Sequence, residues 1–179
     1  MRVIGGEFRS RVLKSVPGLD VRPTPDRLRE SLFNILAPRI AGVAFADLYA
    51  GSGAVGIEAL SRGASRVVFV EPNRAAVNVI RQNLKALDIE ARTQVLQGRT
   101  TALLGGIRAD IVFLDPPYEL DAEYETALTK LGTQPPKLVP SLVIAQHSVR
   151  LKLAESYGAL RQTRVLRQGD NCLSFYSPE

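Results

Sequence analysis

One segment of this 179-residue chain, DLYAGSGAVGIEALSRGASRVVFVE at residues 47–71, restricts the possible fold most strongly. Apolar runs that are typical of buried strands flank a glycine-rich turn and a predicted helix. Gly51 and Gly53 allow the backbone to turn tightly and to approach a ligand, and Gly56 allows the helix to pack closely against a strand. Glu71 closes the second run, where its carboxylate can accept hydrogen bonds from both hydroxyls of a ribose. The segment therefore predicts a βαβ unit that binds a small molecule.

The glycine spacing also matches dinucleotide-binding proteins, so by itself it leaves an NAD-dependent oxidoreductase open. Asp47 ends the first predicted strand, and its carboxylate would repel a pyrophosphate but suits a cationic amino acid group. A second motif, DPPY at residues 115–118, follows the apolar run at 111–114. These two features favour a ligand other than a dinucleotide.

Together, the segments DLYAGSGAVGIEAL and DPPY resemble those of class I S-adenosylmethionine (SAM) methyltransferases that modify exocyclic amines. The resemblance implies that SAM is the cofactor. The cofactor-binding residues that it implies are Asp47, Ala50, Gly51, Gly53, Glu71, Pro72 and Arg99. The catalytic residues that it implies are Asp115, Pro116, Pro117 and Tyr118.

Three further segments, at residues 4–6, 19–24 and 27–34, make the resemblance more specific. Their sequences IGG, LDVRPT and RLRESLFN resemble the signature of the RsmD family, bacterial methyltransferases that modify a guanine N2 in 16S ribosomal RNA. The similarity extends over nearly the whole chain. It implies that the partner is 16S rRNA, within a small ribosomal subunit or an assembly intermediate.

The DPPY motif suits the chemistry of such an amine, whose lone pair is delocalised into the base. The ionised carboxylate of Asp115 can accept a hydrogen bond from one N–H group of the amine, and the carbonyl of Pro116 can accept one from the other. These two hydrogen bonds stabilise the positive charge that develops on the nitrogen. Pro116 and Pro117 stiffen this loop. Tyr118 is expected to stack on the base after the base leaves its RNA context.

Two other functions stay open. An adenine-N6 methyltransferase acting on RNA or DNA would use the same two acceptors, although such enzymes more often carry Asn-Pro-Pro-Tyr and a larger recognition domain. A SAM-binding or nucleic-acid-binding module without catalysis is the third hypothesis. The intact DPPY motif and Glu71 argue against it.

Positive charge is concentrated at the start of the chain. Residues 1–39 contain eight basic and four acidic side chains, which is +4 of the total net charge of +5. The alternating pattern around Gly5 and Gly6 predicts a small β-hairpin that can hold phosphates. The RNA-binding residues predicted there are Arg2, Arg9, Arg11, Lys14 and Arg22. We therefore divide the chain into an RNA-binding extension at 1–39 and a catalytic domain at 40–179.

The remaining pattern alternates strands and helices, which predicts a Rossmann-like α/β fold with a mostly parallel open sheet and helices on both faces. Thr24 is expected to cap the first helix. Later strands are predicted at 91–96, 109–114 and 141–145, and later helices at 73–86, 100–104, 121–131 and 151–158. Segments 159–166 and 172–176 predict a C-terminal antiparallel hairpin. The ligand should lie at the carboxyl ends of the parallel strands.

Composition excludes several classes of protein. The single cysteine, Cys172, rules out an intramolecular disulfide and a cysteine-based zinc cluster. Neither an 18-residue apolar run nor a signal-peptide core is present. We expect a cytoplasmic monomer that binds neither membrane nor metal.

Two positions depart from the pattern of the resembling family. Arg99 replaces the usual Asn or Asp after the third strand and cannot accept a hydrogen bond, so we expect backbone groups and apolar walls to hold the adenine. Gln146 replaces the usual Glu after the fifth strand. The adjacent His147 is interpreted as a structural residue, because methyl transfer to an amine does not require a histidine base.

Overall fold

The computed structural model describes residues 1–18 and 24–179; Arg22, predicted to bind RNA, lies outside the described residues. Eight strands form one sheet, in the order β3-β2-β1-β4-β5-β8-β7-β6. The strands are β1 (Ala44–Leu48), β2 (Arg66–Glu71), β3 (Thr93–Gln97), β4 (Ile111–Leu114), β5 (Leu142–Ser148), β6 (Ser156–Tyr157), β7 (Leu160–Gln168) and β8 (Asn171–Pro178). Strands β1 to β5 are parallel, whereas β8 pairs antiparallel with β5.

Helices cover both faces of the sheet. They are α1 (Asp26–Leu36), α2 (Ala54–Ser61), α3 (Arg74–Leu87), α4 (Thr100–Leu103) and α5 (Asp121–Gly132). One hydrophobic cluster lies between the sheet and α1 to α3, and a second lies between the opposite face and α5. All residues of β1 and β4 are buried, as expected for parallel strands covered on both sides. The predicted open α/β sheet is confirmed.

The C-terminal hairpin of β7 and β8 is confirmed, but the helix predicted at 151–158 is wrong. One local and one tertiary contact with tyrosine hydroxyls occupy backbone groups that a helix would use internally. The amide of Ala154 donates to the hydroxyl of Tyr157 at 2.9 Å, and its carbonyl accepts from the hydroxyl of Tyr176 at 2.9 Å. Because these hydroxyls hold both groups of Ala154, the segment forms no helix and leads into β6.

The N-terminal arm, which we define as residues 1–18, is a looser hairpin than the sequence predicts. A single antiparallel bridge joins Arg2 to Val12, and the amide of Leu13 donates to the carbonyl of Met1 at 2.9 Å. Val3 and Leu13 are buried in the first hydrophobic cluster, so the arm packs on the main fold. The functional division at residues 39 and 40 stays a prediction.

Buried polar groups fasten the arm to α2. The carboxylate of Glu58, fully buried, accepts hydrogen bonds from the amides of Ile4 and Gly5, both at 2.8 Å. Arg62 donates from Nε to the same carboxylate at 2.9 Å. The guanidinium of Arg29 is also fully buried and donates to the carbonyl of Arg2 at 2.6 Å. Burial of paired charges at this junction fixes the arm against α1 and α2.

The start of α1 also differs from the prediction. Pro25, not Thr24, occupies the N-cap position, and no side chain caps the helix. Asp26 in the first turn complements the helix dipole. The side chain of Thr24 instead faces the end of β4, where it hydrogen-bonds with Asp115.

None of the helices in the described part of the chain combines the length and apolar character that a membrane span requires.

Candidate active site

Three acidic residues, Asp47, Glu71 and Asp115, lie at the carboxyl ends of the neighbouring strands β1, β2 and β4. Each stands two residues after a phenylalanine of the first hydrophobic cluster. Because alternate side chains of a strand point to the same face, the three carboxylates share one face of the sheet. This is the edge where an open parallel sheet binds its ligand.

The glycine turn between β1 and α2 has the geometry that the sequence predicts. Gly51 and Gly53 have φ values of 57° and 82°, in the left-handed region that favours glycine. A Cβ atom on Gly56 would lie 2.3 Å from Cε1 of Phe69 and 2.9 Å from Cγ1 of Val67. Only glycine at position 56 therefore allows α2 to approach β2 this closely.

Asp47 supports the first turn of α2. Its side chain is buried, and Oδ2 accepts a hydrogen bond from the amide of Gly56 at 2.9 Å. Burial raises the pKa of Asp47 well above its ordinary value, and the nearby carboxylates of Asp115 and Glu71 raise it further. The structure thus assigns Asp47 a contact that the sequence did not predict, while its contact with a ligand stays a prediction.

Glu71 connects the glycine turn to α3. Its Oε2 accepts from the amide of Gly51 at 2.9 Å, and its Oε1 accepts from the amide of Asn73 at 2.8 Å. Burial raises the pKa of Glu71, which these two backbone donors oppose. A carboxylate has about four acceptor positions, so two remain for hydroxyl donors of a ligand. Its predicted ribose contact is compatible with this arrangement and stays a prediction.

The other predicted cofactor-binding residues surround this turn. The amide of Ala50 donates to the carbonyl of Val70 at 3.0 Å, which ties the turn to β2. Pro72 is exposed beyond the end of β2. Arg99 is mostly exposed at the start of α4, where it forms an ion pair with Glu123 at 3.7 Å. The predicted contacts of Ala50, Pro72 and Arg99 with a cofactor stay predictions.

Tyr49 is a site residue that the sequence analysis missed. It adopts a left-handed conformation with φ of 64°, which is uncommon for a bulky side chain. Its hydroxyl donates to Oε2 of Glu123 at 2.5 Å, which connects the glycine turn to α5. Burial and Glu123 raise the pKa of the Tyr49 hydroxyl. Neither the conformation nor a partner 74 residues away has a local sequence signal.

The DPPY motif directly follows β4. The amide of Asp115 lies 3.4 Å from the carbonyl of Leu48, so the motif starts beside the glycine turn. Burial raises the pKa of Asp115 to about 7, against the opposing effect of its hydrogen bond with Thr24. A carboxyl group with this pKa exchanges a proton readily near neutral pH.

The rest of the motif forms an exposed loop over this edge. Pro116 is buried and Pro117 is exposed. Tyr118 is 47% exposed, and its hydroxyl donates to Oδ1 of Asn171 at 2.8 Å at the start of β8. The ring is therefore held at the entrance to the site, where a base could stack on it. Stacking itself stays a prediction.

β5 contributes the neighbouring wall. The carbonyl of Gln146 accepts from the hydroxyl of Tyr124 at 2.5 Å, and its buried side-chain oxygen has no hydrogen-bond partner within residues 1–18 and 24–179. His147 is buried, with Nε2 2.8 Å from Oγ of Ser174, and burial lowers its pKa. Its two ring nitrogens contact Ser174 and the carbonyl of Ser148, which agrees with a structural role.

The predicted RNA-binding residues of the arm differ in their contacts. Arg2 donates to the carbonyl of Ser10 at 3.2 Å, and Arg9 is exposed. Arg11 and Lys14 extend towards α3. The structure thus places two of the predicted cations beside α3, and RNA contact stays a prediction.

Two further features bear on ligands. A groove of about 460 Å³ is lined by Arg66, Arg108 and neighbouring residues at the amino ends of β2 and β3. It lies at the opposite edge of the sheet from the carboxylates, so it is not the site of the DPPY chemistry.

Among the residues that the structure describes, no three His, Cys, Asp or Glu side chains are grouped as metal ligands.

Comparison with known proteins gives a consistent result. The sequence model of the family described as "Conserved hypothetical protein 95" matches residues 1–177. The chain is 35% identical over 183 residues to "Putative rRNA methyltransferase YlbH" of Bacillus subtilis, covering 98% of both chains. It is 40% identical over 128 residues to "Ribosomal RNA small subunit methyltransferase D" of Escherichia coli, covering 70% of this chain and 64% of that protein.

Solved structures resemble the whole chain. "Putative methyltransferase yhhF from Escherichia coli" superimposes with a TM-score of 0.84 at 33% identity, covering 100% of this chain and 98% of that one. The "putative methylase HI0767 from Haemophilus influenzae" superimposes with a TM-score of 0.79 at 27% identity, and the match covers 99% of this chain and 97% of that one. The arm, the sheet and the C-terminal hairpin are therefore all part of the shared fold.

Proposed function

The chain belongs to the family described as "Conserved hypothetical protein 95", the RsmD family of class I methyltransferases, and on this premise we propose that it transfers a methyl group from SAM to ribosomal RNA. The acceptor that we propose is the exocyclic N2 amine of a guanine in 16S rRNA. The partner is a small ribosomal subunit or an assembly intermediate, and the enzyme acts as a cytoplasmic monomer.

The adjacency of two loops is the observation that carries this proposal. β1 and β4 are paired up to Leu48 and Leu114, so the glycine turn and the DPPY loop leave the sheet side by side. A cofactor in the first loop and a base against the second would meet at the same edge. Holding two reactants in this way is the main requirement for methyl transfer.

The residues present fit SAM. Gly51 and Gly53 place backbone without side chains at the turn, and Glu71 holds the amide of Gly51 while retaining free acceptor positions. Asp47 would face the cationic amino acid group of SAM, and that positive charge would favour the ionised carboxylate against the effect of burial. SAM supplies an activated methyl group on its sulfonium sulfur.

The DPPY loop would hold and deprotonate the amine. The ionised carboxylate of Asp115 accepts one N–H bond, and the carbonyl of Pro116 accepts the other. As the nitrogen gains a methyl group and positive charge, Asp115 stabilises that charge and accepts the proton that leaves. A pKa of about 7 suits a group that must be ionised before the reaction and accept a proton during it. Tyr118 stacks on the base, which has left its RNA stack.

The test uses methyl-labelled SAM and small ribosomal subunits from a strain that lacks the activity. We expect label in N2-methylguanosine at a single site of the digested 16S rRNA. N6-methyladenosine would support the alternative acceptor, adenine N6, and would overturn the guanine assignment. Absence of label with SAM still bound would overturn catalysis.

A variant separates binding from chemistry. Asp115→Ala should bind SAM with unchanged affinity in calorimetry and lose most methyl transfer, because the loop then lacks its charged acceptor. Asp170→Ala, in the exposed β7–β8 turn, is the control and should retain full activity. Full activity of Asp115→Ala would contradict the role of the carboxylate.

A further inference from the structure

Helix α3 carries a row of positive charge along its exposed side. Arg74, Arg81 and Lys85 are exposed, at positions i, i+7 and i+11 of a helix that contains no acidic residue. At about 100° per residue, the three side chains leave the helix within about 40° of one another. Over 11 residues the row extends about 16 Å.

Two features of this row are unfavourable for the helix, although Lys85 in the last turn complements the helix dipole. Arg74 is the first residue of α3, where the positive end of the helix dipole disfavours a cation, and the first turn contains no acid to offset it. Arg81 and Lys85 are four residues apart, a spacing at which like charges repel. A polyanionic ligand would relieve both unfavourable interactions.

The N-terminal arm adds two cations beside the row. Nη2 of Arg11 donates to the carbonyl of Ala86 at 3.1 Å, and Nζ of Lys14 donates to Oε1 of Gln82 at 2.9 Å. In the part of the chain that the structure describes, none of these five cations has a carboxylate within 4.0 Å. We call Arg11, Lys14, Arg74, Arg81 and Lys85 the α3–arm surface.

A buried side chain fixes the arm in this position. Asn83, in α3, accepts from the amide of Lys14 at 2.8 Å and donates to the carbonyl of Lys14 at 3.1 Å. The same side-chain amide donates to the carbonyl of Ser52 at 3.1 Å. Because Ser52 lies between Gly51 and Gly53 of the glycine turn, this hydrogen bond connects the α3–arm surface directly to the candidate active site.

We propose that the α3–arm surface binds the sugar-phosphate backbone of the RNA that flanks the target nucleotide. The inference rests on the proposed function, and it extends the RNA contact from the arm to α3. Five cations without acidic partners are complementary to phosphates, and the row begins next to Glu71. Contacts of this kind position the RNA without reading its sequence.

The test replaces the three helix cations with neutral side chains in one variant, Arg74→Gln, Arg81→Gln and Lys85→Gln. A matched control replaces two arginines and one lysine near the amino ends of strands, Arg39→Gln, Arg66→Gln and Lys137→Gln, which are also exposed. Both variants lose three positive charges. Binding to small ribosomal subunits is measured over a series of salt concentrations, separately from methyl transfer.

We expect the α3 variant to bind about tenfold to a hundredfold more weakly at about 0.1 M salt, and the slope of log affinity against log salt to be shallower by about two to three. Its affinity for SAM and its melting temperature should not fall. The control variant should lose less than about threefold in affinity, because its charges lie at the opposite edge. Equal losses in both variants, or no loss in the α3 variant, would overturn the proposal.

The two proposals can fail separately. If the unchanged protein binds the subunits but methylates no RNA, the proposed function fails, and the comparison of the two triple variants still decides the role of the surface. If methylation occurs but both triple variants bind the ribosomal subunits equally well, the proposed function stands and the proposed role of the α3–arm surface is wrong.

Discussion

Replacing Asp115 with asparagine should make the protein more stable and less active, and the stability gain should depend on pH. Burial raises the pKa of this carboxyl from 3.8 to about 7 in the folded protein. The ionised form is therefore less favourable in the folded state than in the unfolded state. Folding stability due to Asp115 falls as pH rises from about 4 to about 7 and stays low above that.

The magnitude follows from the pKa. A rise of about three pH units corresponds to up to about 4 kcal/mol of unfolding free energy at pH 8. The amide that replaces the carboxyl would carry no charge at any pH, so the Asp115→Asn variant should gain up to this amount at pH 8. At pH 4 the carboxyl of the folded protein is neutral and that of the unfolded chain is about half ionised, so the gain should be only about 0.6 kcal/mol.

Urea unfolding of the two proteins at pH 4, 6 and 8 measures this difference. Acids that do not interact with Asp115 titrate equally in both proteins, so the difference between the two curves reports Asp115 together with its effect on the neighbouring Asp47. Asp170→Asn, at an exposed turn position, should change stability by no more than about 0.5 kcal/mol at any of these pH values. A stability difference that does not grow with pH would refute the argument from burial.

The same variant tests catalysis. For the unchanged enzyme, kcat should rise about tenfold between pH 6 and pH 8, with an apparent pKa near 7. An amide at position 115 would accept a hydrogen bond but not the proton, so kcat of the variant should fall by about a hundredfold or more and lose this pH dependence. A parallel pH profile in both proteins would show that another group titrates.

Other substitutions give distinct results. Gly56→Ala should lower the free energy of urea unfolding by about 1–3 kcal/mol, because the added Cβ would overlap the ring of Phe69. The loss should be smaller in a Phe69→Leu background, and an equal loss in both backgrounds would contradict this. Glu71→Gln should weaken SAM binding at least about tenfold in calorimetry, since an amide offers fewer acceptors; unchanged affinity would exclude the ribose contact. Glu58→Gln should cost about 3 kcal/mol or more in unfolding, because it removes the ion-pair partner of Arg62 and one acceptor for the amides of Ile4 and Gly5 at a fully buried position; a loss below about 1 kcal/mol would contradict it.

The core of the fold could be predicted because its signals are local. Period and composition identify β1, β2 and β4 as continuous apolar runs, and such runs require cover on both faces. Gly56 was assigned to close helix–strand packing from its position in the motif, and the short distance to Phe69 confirms that assignment.

The errors arose where particular side chains bond to groups that a helix or a cap would use. Residues 151–158 have helical periodicity, but the hydroxyls of the nearby Tyr157 and the distant Tyr176 occupy the backbone of Ala154. Thr24 has a side chain that favours the N-cap position, yet that side chain hydrogen-bonds with Asp115. Periodicity and capping rules use residue type and spacing, and they contain no information about these particular hydrogen bonds.

The sequence by itself determined the order of strands and helices up to β5, the glycine turn, the DPPY loop and therefore the edge of the sheet where they meet. Apolar period, turn chemistry and motif spacing are properties of short segments, so they can be read without coordinates. Only the tertiary structure decided that Glu71 holds the turn, that Tyr49 contacts Glu123, and that Asn83 fixes the arm beside the cations of α3. Those contacts join residues 20 to 74 positions apart, and they form only when the packed sheet brings them together.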